Sequence, residues 1–297
     1  MKQSAHWISR ILRGTGWVAA IACSALLLAG FGGALHPALD SLALLRIPAA
    51  AGCLILVLLL ARPRALVWSG AGVSASVLIV LGAARIVAGP DGQGITVYQK
   101  NLWAGNVASR ALVADIRDSG ADLVMLQEVS ERNVPLLALL EDDYPYQQFC
   151  RFSAWSGMAV LSRLPAIDDG ICSDRRGMAG LRVEGPDGPF WALSIHLHWP
   201  WPHGQAPQVA RLLPQLDALE GPVIIGGDFN MVPWGHAVRR IAEATGTQRV
   251  GQRRPTIFPY GVPLPIDMVL APTPGRNERR PLFGSDHYGL VARVAAP

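Results

Sequence analysis

The first 88 residues carry only eight charged side chains: Lys2, Arg10, Arg13, Asp40, Arg46, Arg62, Arg64 and Arg85. Sequence this apolar must be buried, in a protein core or in lipid. Crossing ~30 Å of hydrocarbon takes ~20 mostly apolar residues in a helix. Three segments meet that requirement, roughly 16–35, 42–61 and 66–88. A signal peptide would offer one short apolar core and then soluble sequence. Two further spans follow here, so residues 1–88 read as a permanent anchor of three transmembrane helices.

The arginines set an orientation. Lys2, Arg10 and Arg13 precede the first span, and Arg62 and Arg64 fill the turn between the second and third. The turn at 36–41 has neither Lys nor Arg. Both basic segments are expected to stay cytoplasmic, which sends the third helix and everything after it to the far side. Arg46 and Arg85 then lie at the outer level, either snorkelling to the interface or meeting lipid phosphates. The linker 89–94 has six residues and reaches at most ~20 Å, so the domain that follows is expected to ride close to the bilayer.

That domain, 95–297, has ordinary globular composition. The whole chain is +4, yet residues after 88 hold 19 basic and 21 acidic side chains, a net of −2. The alkaline pI of about 9.1 therefore comes from the membrane-flanking arginines. A nonspecific nucleic-acid binder would carry its positive footprint on the domain itself.

Short apolar runs in this domain read as strands, and each meets a polar residue at its end. Residues 95–100 run into Asn101, 123–127 into Glu128, 191–195 into His196, and 223–227 into Asp228 and Asn230. Asp267 sits inside the run 266–270, and Asp286 and His287 precede a last strand near 290–294. Amphipathic helices are expected at 108–119, 131–140, 205–219 and 235–244. Gathered at one edge, the strand ends would form a cleft of carboxylates, amides and imidazoles, suited to a hard divalent cation and a phosphate.

These segments, in this order, resemble the endonuclease/exonuclease/phosphatase superfamily, which includes DNase I-like nucleases, inositol polyphosphate 5-phosphatases and neutral sphingomyelinases. The matching stretches are 100–103 (KNLW), 126–129 (LQEV), 156–163 (SGMAVLSR), 194–197 (SIHL), 227–230 (GDFN), 266–267 (ID) and 285–288 (SDHY). The resemblance implies an α/β fold, a four-layer sandwich of two packed β-sheets flanked by helices. It implies a Mg²⁺-dependent (or Mn²⁺-dependent) phosphoester hydrolase, with Glu128 as principal metal ligand and Asn101 and Asp286 as further metal-side groups. Asp228 is expected to position or deprotonate the attacking water and Asn230 to bond the phosphate. His287, oriented by Asp267, would act on the phosphoryl group, and His196 would bind the phosphate or assist the leaving group. The anchor makes this look like a multi-pass protein of a bacterial inner membrane with its catalytic domain outside the cytoplasm, acting on a membrane or envelope phosphoester such as a lipid-linked one. The alternative is an extracytoplasmic nuclease; a binding module with a decayed site fits poorly with so complete a residue set.

Three features stay open at this level. Cys150 and Cys172 are the only cysteines after the anchor, and an oxidising compartment permits a bridge as readily as burial leaves two thiols. The aromatic stretch 198–204 after His196 is either core or a rim at the bilayer interface, where Trp is enriched. The arginine pairs 175–176, 253–254 and 279–280 are candidate anion contacts or solvated surface, with none singled out.

Overall fold

The computed structural model describes residues 2–60, 70–72, 74–78 and 94–297, and the chain divides into two compact units, Met1–Ile86 and Val87–Pro297. In the first unit α1 (Lys2–Ala29) is followed by a 3-10 turn, α2 (Pro37–Ser41), a second 3-10 turn and α3 (Arg46–Leu60). Among the described residues two stretches are long and apolar enough to cross a membrane, Arg10–Ala29 and Pro37–Leu59. The first expected span thus lies closer to the N-terminus, because the chain turns at Gly30 and Gly32–Gly33 and restarts at Pro37, a favoured first helical residue. Most of the third expected span, and Arg85 with it, lies outside the described residues; 70–72 and 74–78 within it are helical. Residues 89–93 of the linker lie outside them too.

Small side chains join α1 to α3. Leu27 packs with Ala49 and Ala50, and Cys23 packs against Cys53 and Val57, the close approach that small residues allow between helices. Arg46 folds back onto the end of α1. Its side chain is buried, its Nε donates to the Gly30 carbonyl at 2.7 Å, and its guanidinium stacks 4.2 Å from the Phe31 ring centre. It satisfies a carbonyl freed where α1 ends.

The second unit holds two six-stranded mixed sheets. The first contains β1 (Gly94–Asn101), β2 (Leu123–Gln127), β3 (Tyr146–Arg151), β4 (Gly157–Ser162), β11 (Gly275–Arg280) and β12 (Gly289–Ala295), ordered β11-β12-β1-β2-β4-β3. The second contains β5 (Ile171–Cys172), β6 (Met178–Gly185), β7 (Gly188–His196), β8 (Val223–Asp228), β9 (Gln248–Arg249) and β10 (Asp267–Ala271), ordered β5-β6-β7-β8-β10-β9. Alternate side chains serve different layers, as the strand period of two requires. Val97, Leu123, Met125 and Val160 meet Leu181, Phe190, Ile224 and Val269 between the sheets. Tyr98, Val124 and Leu126 face outward onto Leu112, Val113 and Ile116 of α4 (Arg110–Asp118) and Leu136 and Leu137 of α5 (Pro135–Leu139). Burial on both faces is why these strands read as unbroken apolar runs. On the second sheet, α6 (Gln205–Asp217) buries Val209, Leu212 and Leu216, and α7 (His236–Ala244) buries Val238 and Ile241. The α/β sandwich is thus present.

Three of the four expected helices recur within two residues at each end. The expected helix at 131–140 shrinks to α5, because Asn133 Oδ1 accepts from Ser130 N–H at 2.8 Å to form a turn, and Pro135 starts the helix. Strands β3, β5, β6, β9 and β11 were not expected.

Among the described residues only two strand pairs are parallel, β1 with β2 and β7 with β8. Each requires a crossover, supplied by α4 and α6. The carboxyl ends of these four central strands carry Asn101, Glu128, His196 and Asp228. Cys150 on β3 and Cys172 on β5 form a disulfide. Since β3 and β5 are the last strands of their sheets, the bond ties one edge of the sandwich together.

Candidate active site

The strand ends converge at one end of the sandwich. Asn101 Nδ2, from the first sheet, donates to Asp228 Oδ2 of the second at 2.9 Å and to Glu128 Oε1 at 3.2 Å. Its own oxygen accepts from Trp103 N–H at 2.9 Å. Asp228 Oδ2 stands 3.5 Å from His196 Nε2 and 3.9 Å from His287 Nε2. His287 Nδ1 is 2.8 Å from Asp267 Oδ2. Asp267 lies directly across from Asp228 in the β8–β10 register, so antiparallel pairing alone delivers it. Asn230 Nδ2 donates to the Leu197 carbonyl at 2.8 Å and lies 3.4 Å from His196 Nε2. Asp286 stays at the edge, with a side chain 54% exposed and Oδ1 4.0 Å from His287 Nε2.

Two of these residues occupy left-handed backbone, Glu128 at φ 55° and Asn230 at φ 46°. Such conformations cost energy in non-glycine residues and concentrate at functional sites. Each is held by specific bonds. Buried Asn133 donates to the Glu128 carbonyl at 3.1 Å, and Ala104 N–H donates to Glu128 Oε2 at 2.8 Å. Asn230 N–H donates to Asp228 Oδ1 at 2.8 Å.

Burial governs the protonation. It pushes the Asp228 carboxyl up, with the Asp267 charge adding and His287 partly offsetting, to about 7. It also raises Asp267, but the adjoining His287 outweighs it and holds that carboxyl below its ordinary value. His287 itself is lowered by burial, yet Asp267 and Asp228 prevail and bring it to about 10. His196 falls well below its ordinary value through burial, then through the Arg176 charge beside it. The site thus holds one cationic and one neutral imidazole on either side of a carboxylate poised near neutrality.

Several contributors escaped the sequence reading. Buried between the sheets, Gln99 Nε2 donates to Gln127 Oε1 at 2.8 Å and to Asp267 Oδ1 at 3.0 Å. Gln127 Nε2 donates in turn to Ser194 Oγ at 2.9 Å. Lys100, also buried, donates from Nζ to the His287 carbonyl, and burial lowers its pKa to about 8. The polar ladder thus sets the depth at which Asp267 and His287 sit. Gly226 permits it: a Cβ there would lie 2.6 Å from Met125 Sδ of the facing sheet. Close approach of the sheets, and not of a ligand, requires this glycine. Arg176 places Nη2 3.0 and 2.9 Å from the two ring nitrogens of His196. The other arginine pairs are engaged elsewhere: Arg253 stacks on Trp234, Arg279 on Tyr288, and Arg280 binds Asp115.

The donor chemistry fits a hard divalent cation. Glu128, Asp228 and Asp267 bring carboxylate oxygens to one end of the fold. Among the described residues no Lys or Arg forms an ion pair with any of them. Glu128 is the most open, with a side chain 25% exposed. Asp228, Asp267 and His287 also offer ligand atoms all within 4.8 Å of one another.

Exposed aromatic side chains crowd the same end. Trp103 follows Asn101, Trp199 and Trp201 follow His196, and all three are exposed. Trp155 is exposed in a loop bonded to residues 129 and 131, just past Glu128. Tyr260 is fully exposed, and exposed Phe258 packs edge-on against Tyr288, the neighbour of His287. Trp199 and Trp201, in the stretch after His196, are therefore surface and not core.

A family model described as the endonuclease/exonuclease/phosphatase family matches residues 98–287. No curated protein matches the chain in sequence. Among solved structures, TDP2 from D. rerio complexed with single-strand DNA product is similar at TM-score 0.55 and 15% identity, over 68% of this chain and 98% of that one. The human Nocturnin catalytic domain with bound sulfate is similar at TM-score 0.52 and 18% identity, over 67% and 92%. A beta toxin variant from Staphylococcus aureus with bound magnesium ions gives 0.51 and 16%, over 68% and 99%.

Proposed function

The chain belongs to the endonuclease/exonuclease/phosphatase family, and from that premise we propose a membrane-tethered, Mg²⁺-dependent phosphoester hydrolase whose substrate is presented at a bilayer surface. Membership makes it an enzyme of ester hydrolysis in a family that uses divalent metals. The reaction class rests on one observation, the convergence of three carboxylates and two unlike imidazoles at strand ends of both sheets.

Glu128 is the residue that would hold the cation, with Asn101 and Asp286 as lesser candidates. A bound cation neutralises charge on the nonbridging oxygens of the phosphate. Asn101 would serve by fixing Glu128 and Asp228 through its amide hydrogens, the contacts it makes here. Asp228, near neutrality, is suited to accept the proton of the attacking water. His287, kept cationic by Asp267, donates to the phosphoryl oxygens, and the Asp267 bond fixes its ring. Asn230 and neutral His196 orient the phosphate from the other sheet, with the Arg176 charge behind them.

The surface-substrate part rests on the aromatic rim, since Trp and Tyr favour the headgroup level. The arginine pattern around three spans supports a bacterial plasma-membrane location with the catalytic unit outside, and the Cys150–Cys172 bond fits an oxidising compartment. Gly94 and Asn101 stand at opposite ends of β1, roughly 23 Å apart by strand rise. With a tether of at most ~20 Å, the cleft lies within about 40 Å of the bilayer. A net charge of −2 on the catalytic unit offers no positive track for long nucleic acids.

The test compares full-length protein on a lipid phosphoester in vesicles and on soluble bis(4-nitrophenyl) phosphate, both with Mg²⁺. Replacing Trp199 and Trp201 by Ala is expected to lower the vesicle rate several-fold and leave the soluble rate unchanged. Equal loss on both substrates, or DNA cleavage as fast as any lipid turnover, would overturn the surface reading.

A further inference from the structure

Beside His196, on the flank of the second sheet, lies a groove of about 300 Å³ lined by Ser173, Arg175, Arg176, Gln208, Arg211 and Gln215, among others. We propose that this groove binds a second phosphate or the distal half of a diphosphate, so that the preferred substrate carries another phosphate beside the scissile ester. The proposal rests on the phosphoester reading above and narrows its substrate class.

Charge is the first argument. Three guanidinium groups meet one carboxylate, Asp174, in a unit whose net charge is −2. Four arginines elsewhere in the unit find carboxylates: Arg117 with Asp143, Arg151 with Glu131, Arg182 with Asp168, Arg280 with Asp115. Among the described residues Arg175, Arg176 and Arg211 form no such pair. Unpaired guanidinium forks at one concavity match the oxygens of a phosphate better than any neutral group.

Construction is the second. Gln208 is buried and donates from Nε2 to the carbonyls of both Arg176 and His196, at 3.0 Å each, while its Oε1 accepts from His198 N–H at 2.6 Å. One amide therefore fixes the groove wall and the catalytic strand to each other. Gln208, Arg211 and Gln215 recur at helical spacing on one face of α6, so that face supplies a polar wall. Arg176 lies at the junction. Its Nη2 reaches the His196 ring, and its side chain also lines the groove. The combined field is felt nearby: His198 is lowered by burial, then by Arg176 and Arg211.

The test uses full-length protein in detergent at fixed free Mg²⁺ and the double variant Arg175→Gln/Arg211→Gln. Both side chains are exposed, and unchanged thermal unfolding verifies the fold. Calorimetry is expected to show pyrophosphate binding more tightly than inorganic phosphate. The double variant should weaken pyrophosphate at least about tenfold, as loss of charge-assisted bonds implies, with phosphate affinity changed less than twofold. The kcat/KM for bis(4-nitrophenyl) phosphate, which has no second phosphate, should stay within twofold. Unchanged pyrophosphate affinity in the double variant, or an equal loss for both anions, overturns the groove. Absence of any bis(4-nitrophenyl) phosphate hydrolysis by the parent protein instead overturns the hydrolase reading, and the calorimetric result still decides the groove.

Discussion

The units β1–α4–β2 and β7–α6–β8 are built alike: a parallel strand pair, a helical crossover, and polar residues at the carboxyl ends. Their chemistry differs. The first sheet ends in Asn101 and Glu128, and the Glu128 carboxylate is 25% exposed and receives only neutral amide donors. The second ends in His196 and Asp228, both 1% exposed and perturbed mainly by loss of water. One scaffold thus presents an open carboxylate suited to a hydrated cation and, facing it, a dry pair suited to moving protons and holding a phosphate. The same topology serves both because the difference lies in the residues at the carboxyl ends of the strands, not in the strand bodies.

That division predicts unlike failures when each carboxylate is changed. Asp228→Asn is expected to lower kcat by about 10²–10⁴, the usual worth of a general base, with the Mg²⁺ concentration for half-maximal rate little altered. Glu128→Gln is expected to raise that Mg²⁺ requirement by about tenfold or more, as loss of a carboxylate ligand would. Magnesium titrations of initial rate on each variant check both. Superimposable titration curves for Glu128→Gln and the parent would break the comparison, and full activity in chelator would remove the metal from it.

A smaller effect is expected where the two sheets are tied. The Cys150–Cys172 bond closes a loop of sequence separation 22 between their edge strands. Chain-entropy arguments give a bond of this span about 3 kcal/mol. Cys150→Ser/Cys172→Ser should therefore lower the denaturation midpoint of the catalytic unit while leaving kcat near the parent value, because the bond lies on β3 and β5, away from the central strands. A variant equally stable but inactive would mean that the edge, and not the centre, sets the cleft.

The site was legible wherever an apolar run stopped at a polar residue. Asn101, Glu128, His196, Asp228, Asn230, Asp267 and His287 come together, and burial on both faces of β1, β2, β7 and β8 made those runs conspicuous. Edge strands gave no such signal. Residues 275–280 read Gly-Arg-Asn-Glu-Arg-Arg, a charged sequence that protects an edge from further pairing and so reads as loop. Gln99 and Gln127 were illegible for another reason: their partners are 28 residues away or more in sequence, and no local pattern marks a buried amide. Arg176 was visible only as one of several arginine pairs, since its distinction is contact with His196 across the β6–β7 pair.

The smallest effect concerns how each crossover helix is fastened. On the second sheet Gln205 and Gln208 of α6 bind backbone carbonyls, and amides do not titrate. On the first, Tyr98 of β1 donates to Asp115 of α4 at 2.6 Å, and Arg280 pairs with the same carboxylate. Burial, then the bond and charge of Asp115, raise the Tyr98 pKa far above its ordinary value. A tyrosine in the unfolded chain titrates near ~10. Below that pH both states hold the proton and the stabilisation is fully present. Above it the unfolded state loses a proton that the folded state keeps, so stability falls by about 1.4 kcal/mol per pH unit for each such group. Tyr144, also raised by burial, adds a parallel fall. Tyr98→Phe is thus expected to cost about 1.5–3 kcal/mol near pH 7, the worth of a hydrogen bond to a charged group, and to shallow the decline above pH 10. Denaturant midpoints of the full-length protein between pH 8 and 11 measure both effects. If the alkaline slope is unchanged in Tyr98→Phe, the first crossover is no more sensitive to pH than the second, and the contrast between charged and neutral fastening fails.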